Sequence, residues 1–174
     1  TNIIGNGFGG FVAGTLAIRH GLIFNKLILV DSGAGFPEAA KDPLRMLAKK
    51  ASEEGMSAIL DAAIKRMFPE EFIASTPSLV ATRQNQLAQA DPDLFANAAL
   101  GLTSLDNRPK LGEIRNPTLI VVGLADETTP PALSYELHAG IIGSELIELP
   151  GVGHCPQLQN PRAFLDAVVP FLRS

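Results

Sequence analysis

The chain has 174 residues, 46% of them hydrophobic, and a formal charge of −4. That is enough apolar material for one sizeable core; the mild acidity argues against nucleic acid as a partner, and no apolar run reaches the roughly 20 residues of a membrane span. A single cysteine, Cys155, leaves no internal disulfide framework and fits a reducing cytoplasm.

In chain order, Asn2 to Ile4 reads as the end of a strand that runs into a glycine-rich turn, Gly5-Asn6-Gly7-Phe8-Gly9-Gly10. Phe8 to His20 follows as a helix whose small residues permit close packing. Lys26 to Val30 is a continuous apolar run of the kind found in a parallel strand covered on both faces. From Pro37 to about Leu105 such runs vanish, and helix-period segments replace them at Pro43 to Glu54, Met56 to Met67, Ser78 to Ala90 and Asp91 to Leu102. Pro117 to Gly123 is a second buried strand, Pro130 to Ala139 a helix, Glu145 to Leu149 a third strand and Pro161 to Leu172 a closing amphipathic helix. The pattern predicts an α/β class with a doubly wound, mostly parallel sheet. Residues 1–36 and 106–174 would form its core, and residues 37–105 an inserted helical lid.

In parallel sheets functional groups gather in loops at the carboxyl ends of strands. Three such loops carry suggestive residues: the turn around Gly7, the stretch Gly123 to Pro131 with Asp126, and Gly151 to Pro156 with His154. Acyl transfer needs an imidazole to carry protons and a carboxylate to hold its tautomer, and Asp126 and His154 follow the turn in the order acid then histidine. Each residue also has a plainer reading. The turn could seat a phosphate at a helix N-terminus, although it lacks the later acidic ribose ligand and the P-loop lysine. Asp126 could simply cap the helix near Pro130. Asp31, which also ends a strand, is the rival acid or a solvated loop residue, and His20 and His138 read as surface side chains. No His, Cys and carboxylate spacing points to a metal.

With these loops in hand, the chain resembles the α/β-hydrolase superfamily. The segments "RPKLGEIRNPTLIVVGLADETTPP" and "LIELPGVGHCPQLQNPRAFLDAVVPFL" are similar to its enol-lactone hydrolase and meta-cleavage-product hydrolase branch. The resemblance implies a helical lid, no cofactor, Asp126 as triad acid, His154 as general base, and the Phe8 N–H as an oxyanion donor. Phe68, Phe72, Leu79 and Phe95 are the candidates to line a substrate pocket. The departure is Gly7, the nucleophile position, since relatives commonly read "GNSFGG". Glycine keeps the strained turn and deletes the hydroxyl. Two origins stay open, a deliberately deleted serine or a natural lineage without covalent acyl chemistry, and a third reading lets Cys155 or Ser32 attack instead.

The implied activity is hydrolysis of an ester, a lactone or a C–C bond beside a carbonyl in a small, partly apolar molecule. The alternatives are a non-catalytic small-molecule binding or signalling protein on the same fold, or a lyase using His154 and Asp126 as an acid–base pair. In this fold several strands precede the elbow, and one of their loops gives the second oxyanion N–H. The resemblance therefore implies a companion segment or chain of roughly 80 to 110 residues on the N-terminal side.

Overall fold

Four short strands form one parallel sheet in the order β1-β2-β3-β4, with β1 at Ile3–Asn6, β2 at Leu27–Val30, β3 at Thr118–Gly123 and β4 at Glu145–Leu149. The computed structural model describes residues 1–174. Every residue of β2 and β3 is buried, because helices cover both faces of the sheet's centre. The period of two sorts their side chains. Leu27, Leu29 and Ile120 face a cluster containing Ala13, Ala17 and Leu137, from helices α1 (Phe8–His20) and α7 (Pro131–Gly140). Ile28, Val30, Leu119 and Val121 face Ala167, Val168 and Phe171 of the C-terminal helix, α9, at Pro161–Arg173. Registers pair Ile3 with Leu27, Leu27 with Thr118, and Leu119 with Glu145, so the carboxyl ends of all four strands open on one side of the sheet.

Between β2 and β3 the regular elements are all helices: α2 (Glu38–Glu54), α3 (Leu60–Met67), α4 (Glu70–Ser75), α5 (Pro77–Ala88) and α6 (Pro92–Ser104). Helices α2 and α6 approach closely through Ala48, Ala96 and Ala99, which leave no bulk at the crossing. The segment departs and returns at one neck, where Gly35 bridges Asp106 and the Asn107 N–H donates to the Ala34 carbonyl at 2.7 Å. Phe11 of α1 stacks on Phe36, at 5.3 Å between centroids, and fastens this helical layer to the core.

Three details differ from the sequence reading. Helix α2 starts at Glu38, five residues before Pro43; a proline within it removes one hydrogen bond without ending the helix. The expected helix from Met56 to Met67 is broken at Ile59, between a 3-10 turn and α3. The six-residue α4 was not expected, since one and a half turns show no periodicity.

Candidate active site

The turn between β1 and α1 is a single residue. Gly7 has φ 53° and ψ −123°, a conformation that a side-chain-bearing residue reaches only under strain. Its carbonyl accepts from the Gly10 and Phe11 N–H groups and from the Ser32 hydroxyl, the last at 3.0 Å. Ser32 is thus committed to holding the turn and is not an alternative nucleophile. The N–H groups of Phe8 and Gly9, the first of helix α1, have no acceptor in the chain.

Asp126 and His154 meet above this turn. His154 Nδ1 lies 2.8 Å from Asp126 Oδ2, and both residues are more than nine-tenths buried. The carboxylate is fully committed. Its Oδ1 accepts from the Thr128 and Thr129 N–H groups at 2.7 and 3.1 Å, and its Oδ2 also receives the Thr129 hydroxyl at 2.7 Å. A carboxylate accepts only, so Nδ1 carries the ring proton and Nε2 is left as the base. Nε2 has no partner in the chain and faces the Gly7 turn, where a Cβ added to Gly7 would stand 2.6 Å from it.

The helical layer aims both loops. The last turn of α3 leaves carbonyls unpaired within the helix, and two of them are used here. Met67 O accepts from the His154 N–H at 2.8 Å, and Arg66 O accepts from the Glu127 N–H at 3.3 Å. Gly153 makes this possible, since a side chain there would press on the Met67 carbonyl. Arg66 also donates to the Glu127 carbonyl at 2.9 Å. Asn6, next to the turn, donates to the His154 carbonyl at 3.1 Å and so ties β1 to the histidine loop.

A cavity of about 370 Å³ lies between these loops and the helices, and 16 of its 23 lining residues are hydrophobic, so it favours an apolar ligand body. Gly7, Phe8, His154 and Thr129 form its floor; Phe95, Leu87, Met56 and Leu102 belong to its walls. Of the four expected pocket residues, only Phe95 lines it. Phe68, Phe72 and Leu79 pack instead with Ile64, Val80 and Cys155 behind the histidine loop, because the apolar faces of α3 and α5 turn toward each other there. Two arginines, Arg66 and Arg83, reach the cavity, and none of its lining residues is acidic. Arg83 has no ion-pair partner: its Nη1 has only a long contact of 3.4 Å to Gln86, and its Nε is buried without an acceptor.

Asp31 is neither the acid on His154 nor a solvated loop residue. It is fully buried, with φ 45°, the only positive φ outside glycine. Its Oδ1 accepts from the Gly123 N–H at 2.7 Å, and its backbone carbonyl lies 2.7 Å from the Thr129 hydroxyl, whose single proton it shares with Asp126 Oδ2, so it touches both ends of the loop that presents Asp126. Its Oδ2 has no partner, and burial pushes the carboxyl up to about 8, with Asp126 adding to the rise and the Gly123 N–H opposing it. Cys155 lines the cavity, but burial pushes its thiol up to about 11 against the smaller opposing pull of Arg83, so it is not a thiolate nucleophile at neutral pH. His20 and His138 are exposed. No group of three or more His, Cys, Asp and Glu side chains could hold a metal ion. Asn6, Thr129 and Arg83 escaped the sequence reading. Only the polar run Asp126-Glu127-Thr128-Thr129 hinted at any of them, since Asp commonly bonds the backbone N–H groups two and three residues on.

Residues 2–167 match the family model described as "Alpha/beta hydrolase family". The chain belongs to the alpha/beta hydrolase family. It is 31% identical to 3-oxoadipate enol-lactonase 2 of Acinetobacter baylyi, over 94% of this chain and 60% of that protein. It is 30% identical to the 2-hydroxy-6-oxononadienedioate/2-hydroxy-6-oxononatrienedioate hydrolase of Cupriavidus pinatubonensis, over 98% of this chain and 61% of the relative. The enol-lactonase of Burkholderia xenovorans LB400 superposes with a TM-score of 0.93 at 28% identity, covering all of this chain and 66% of its own. This hydrolase-family chain therefore spans about three-fifths of the length of the curated relatives it matches.

Proposed function

We propose that this protein binds, in the cavity above Gly7, a small carbonyl compound with a mostly apolar body and an anionic end, and that its site is built for hydrolysis beside that carbonyl. The observation that carries the reading is the Asp126–His154 pair, aimed at the Gly7 turn on the floor of an apolar cavity that holds two arginines and no carboxylate. An unpaired guanidinium within reach of such a cavity favours a carboxylate-bearing ligand. An enol-lactone of 3-oxoadipate, the substrate in the Acinetobacter relative's name, joins a reactive acyl carbon to a carboxylate and fits this chemistry. Asp126 orients His154, and the Phe8 N–H is one donor for the developing oxyanion. What the site lacks is the hydroxyl of a serine at position 7.

The test is Gly7→Ser, assayed on 3-oxoadipate enol-lactone and on short p-nitrophenyl esters. The variant is expected to turn over at least about a thousandfold faster than solvent, through an acyl intermediate trapped by rapid quench. In that background Arg83→Gln should raise KM for the carboxylate-bearing lactone about tenfold or more while leaving the neutral esters unchanged. A folded Gly7→Ser protein inert on all of these, in which neither protein binds the lactone's hydrolysis product, would overturn the reading.

A further inference from the structure

Resting on that reading, we infer that the chain as it stands hydrolyses activated esters and lactones without a covalent intermediate: His154, seated over Gly7, takes a proton from a water molecule that attacks the carbonyl directly.

The placement of the imidazole carries this. A Cβ at position 7 would lie 2.6 Å from Nε2 and 3.0 Å from Cε1, well inside the 3.4 Å at which ordinary contact begins. The free tip of the ring stands directly over the backbone of position 7, and any side chain placed there would have to displace it. The ring is not loose. Asp126 holds Nδ1, the Thr129 hydroxyl lies 3.2 Å from the same nitrogen, Met67 holds the backbone N–H and Asn6 the carbonyl. Four anchors, two from one loop, one from the end of a helix and one from the end of a strand, fix Nε2 at the cavity floor, unpartnered. A general base must come within hydrogen-bond reach of the proton it removes. A serine would ordinarily stand between this nitrogen and the substrate; here a water can.

One oxyanion donor is also in place. The free N–H of Phe8, which lines the cavity at the start of α1, can donate to a developing oxyanion, which also gains from the helix dipole. One O–H bond of the water breaks and its proton goes to Nε2, while the water oxygen bonds to the carbonyl carbon and the π pair moves onto the oxygen. The tetrahedral intermediate then collapses, breaking the bond to the leaving alkoxide or enolate, which takes the proton back from Nε2. The sum is substrate plus water to acid plus alcohol, with no residue modified.

The experiment uses the purified protein with p-nitrophenyl acetate and the aryl lactone dihydrocoumarin. Expected are a linear time course without a burst, a solvent deuterium isotope effect of about 2 to 3, no acyl adduct in quenched intact-mass spectra, and loss of about a hundredfold in rate in His154→Gln. Gly7→Ala separates this from a merely deleted site: its methyl must push the ring aside, so the rate falls although no chemical group is lost. Circular dichroism and the unfolding midpoint of each variant establish that it is folded. An adduct on His154, an isotope effect near unity, or a His154→Gln rate equal to wild type would overturn the inference. So would a wild-type rate no higher than buffer, and if Gly7→Ser turns over the same esters in that case, the broader functional reading survives while this inference fails.

Discussion

Burial of Asp31 makes folding stability depend on pH in the sense opposite to that of an ion-paired carboxylate. Its folded value is pushed up to about 8 from the ordinary 3.8. Below the ordinary value both folded and unfolded chains hold the proton. Between there and about 8 the unfolded chain ionises while the folded one keeps it, so stability falls as pH rises, by at most about 1.4 kcal/mol per pH unit for one proton. Above that value the loss is complete. Asn at this position keeps an oxygen for the Gly123 N–H and cannot ionise. Urea unfolding from about pH 5 to pH 8 should therefore show a declining midpoint in the wild type and a much flatter one in Asp31→Asn. An equal slope in both would assign the dependence to another group. At this scale the sequence was readable where chemistry imposes an order, as for Gly7, Asp126 and His154. It misplaced Asp31, read as the rival acid or a solvated loop residue, and was silent on the role of Thr129, because the burial of both depends on which loops the fold lays over them.

Among the elements, β2 and β3 were legible because a strand covered on both faces is apolar throughout, and α9 because its apolar periodicity runs to its end. An apolar helix face says only that it is covered, not by what. Hence Phe68 and Phe95, alike in sequence, have different surroundings. Phe68 is 1% exposed and packs 5.2 Å from Phe72, in the cluster that braces the histidine loop. Phe95 packs beside Ala51, Met56 and Ile59 and also faces the cavity. Phe68→Ala should cost about 3 to 5 kcal/mol of stability by leaving a void. Phe95→Ala should cost less and instead weaken ligand binding several-fold, as read by calorimetry with the lactone's hydrolysis product. If Phe68→Ala changes affinity at unchanged stability, the division between brace and wall is wrong.

For the molecule as a whole, the two edges of the sheet differ. Along β4 the exposed charges of Glu145 and Glu148 discourage further strand pairing. Strand β1 has no charge, and Ile4, Phe8 and Val12, each about half exposed, continue its apolar flank onto α1. The Ile3 and Gly7 N–H groups bond toward β2, so alternation turns those of Ile4 and Asn6 to the open side. A bare, uncharged edge beside an apolar flank is a template for another strand. We propose that the occupant is a strand of a companion segment, paired with these N–H groups. It follows that the 18.4 kDa chain on its own should sediment as larger species, and that Ile4→Lys should return it toward the monomer. Hydrogen exchange reads the same edge directly. In the chain alone, the Ile4 and Asn6 amides should exchange orders of magnitude faster than those of β2 and β3, and slow when the companion segment is supplied. A monodisperse monomer at high concentration, with Ile4 and Asn6 already protected, would mean that the edge is covered by some other means and that no companion strand is needed.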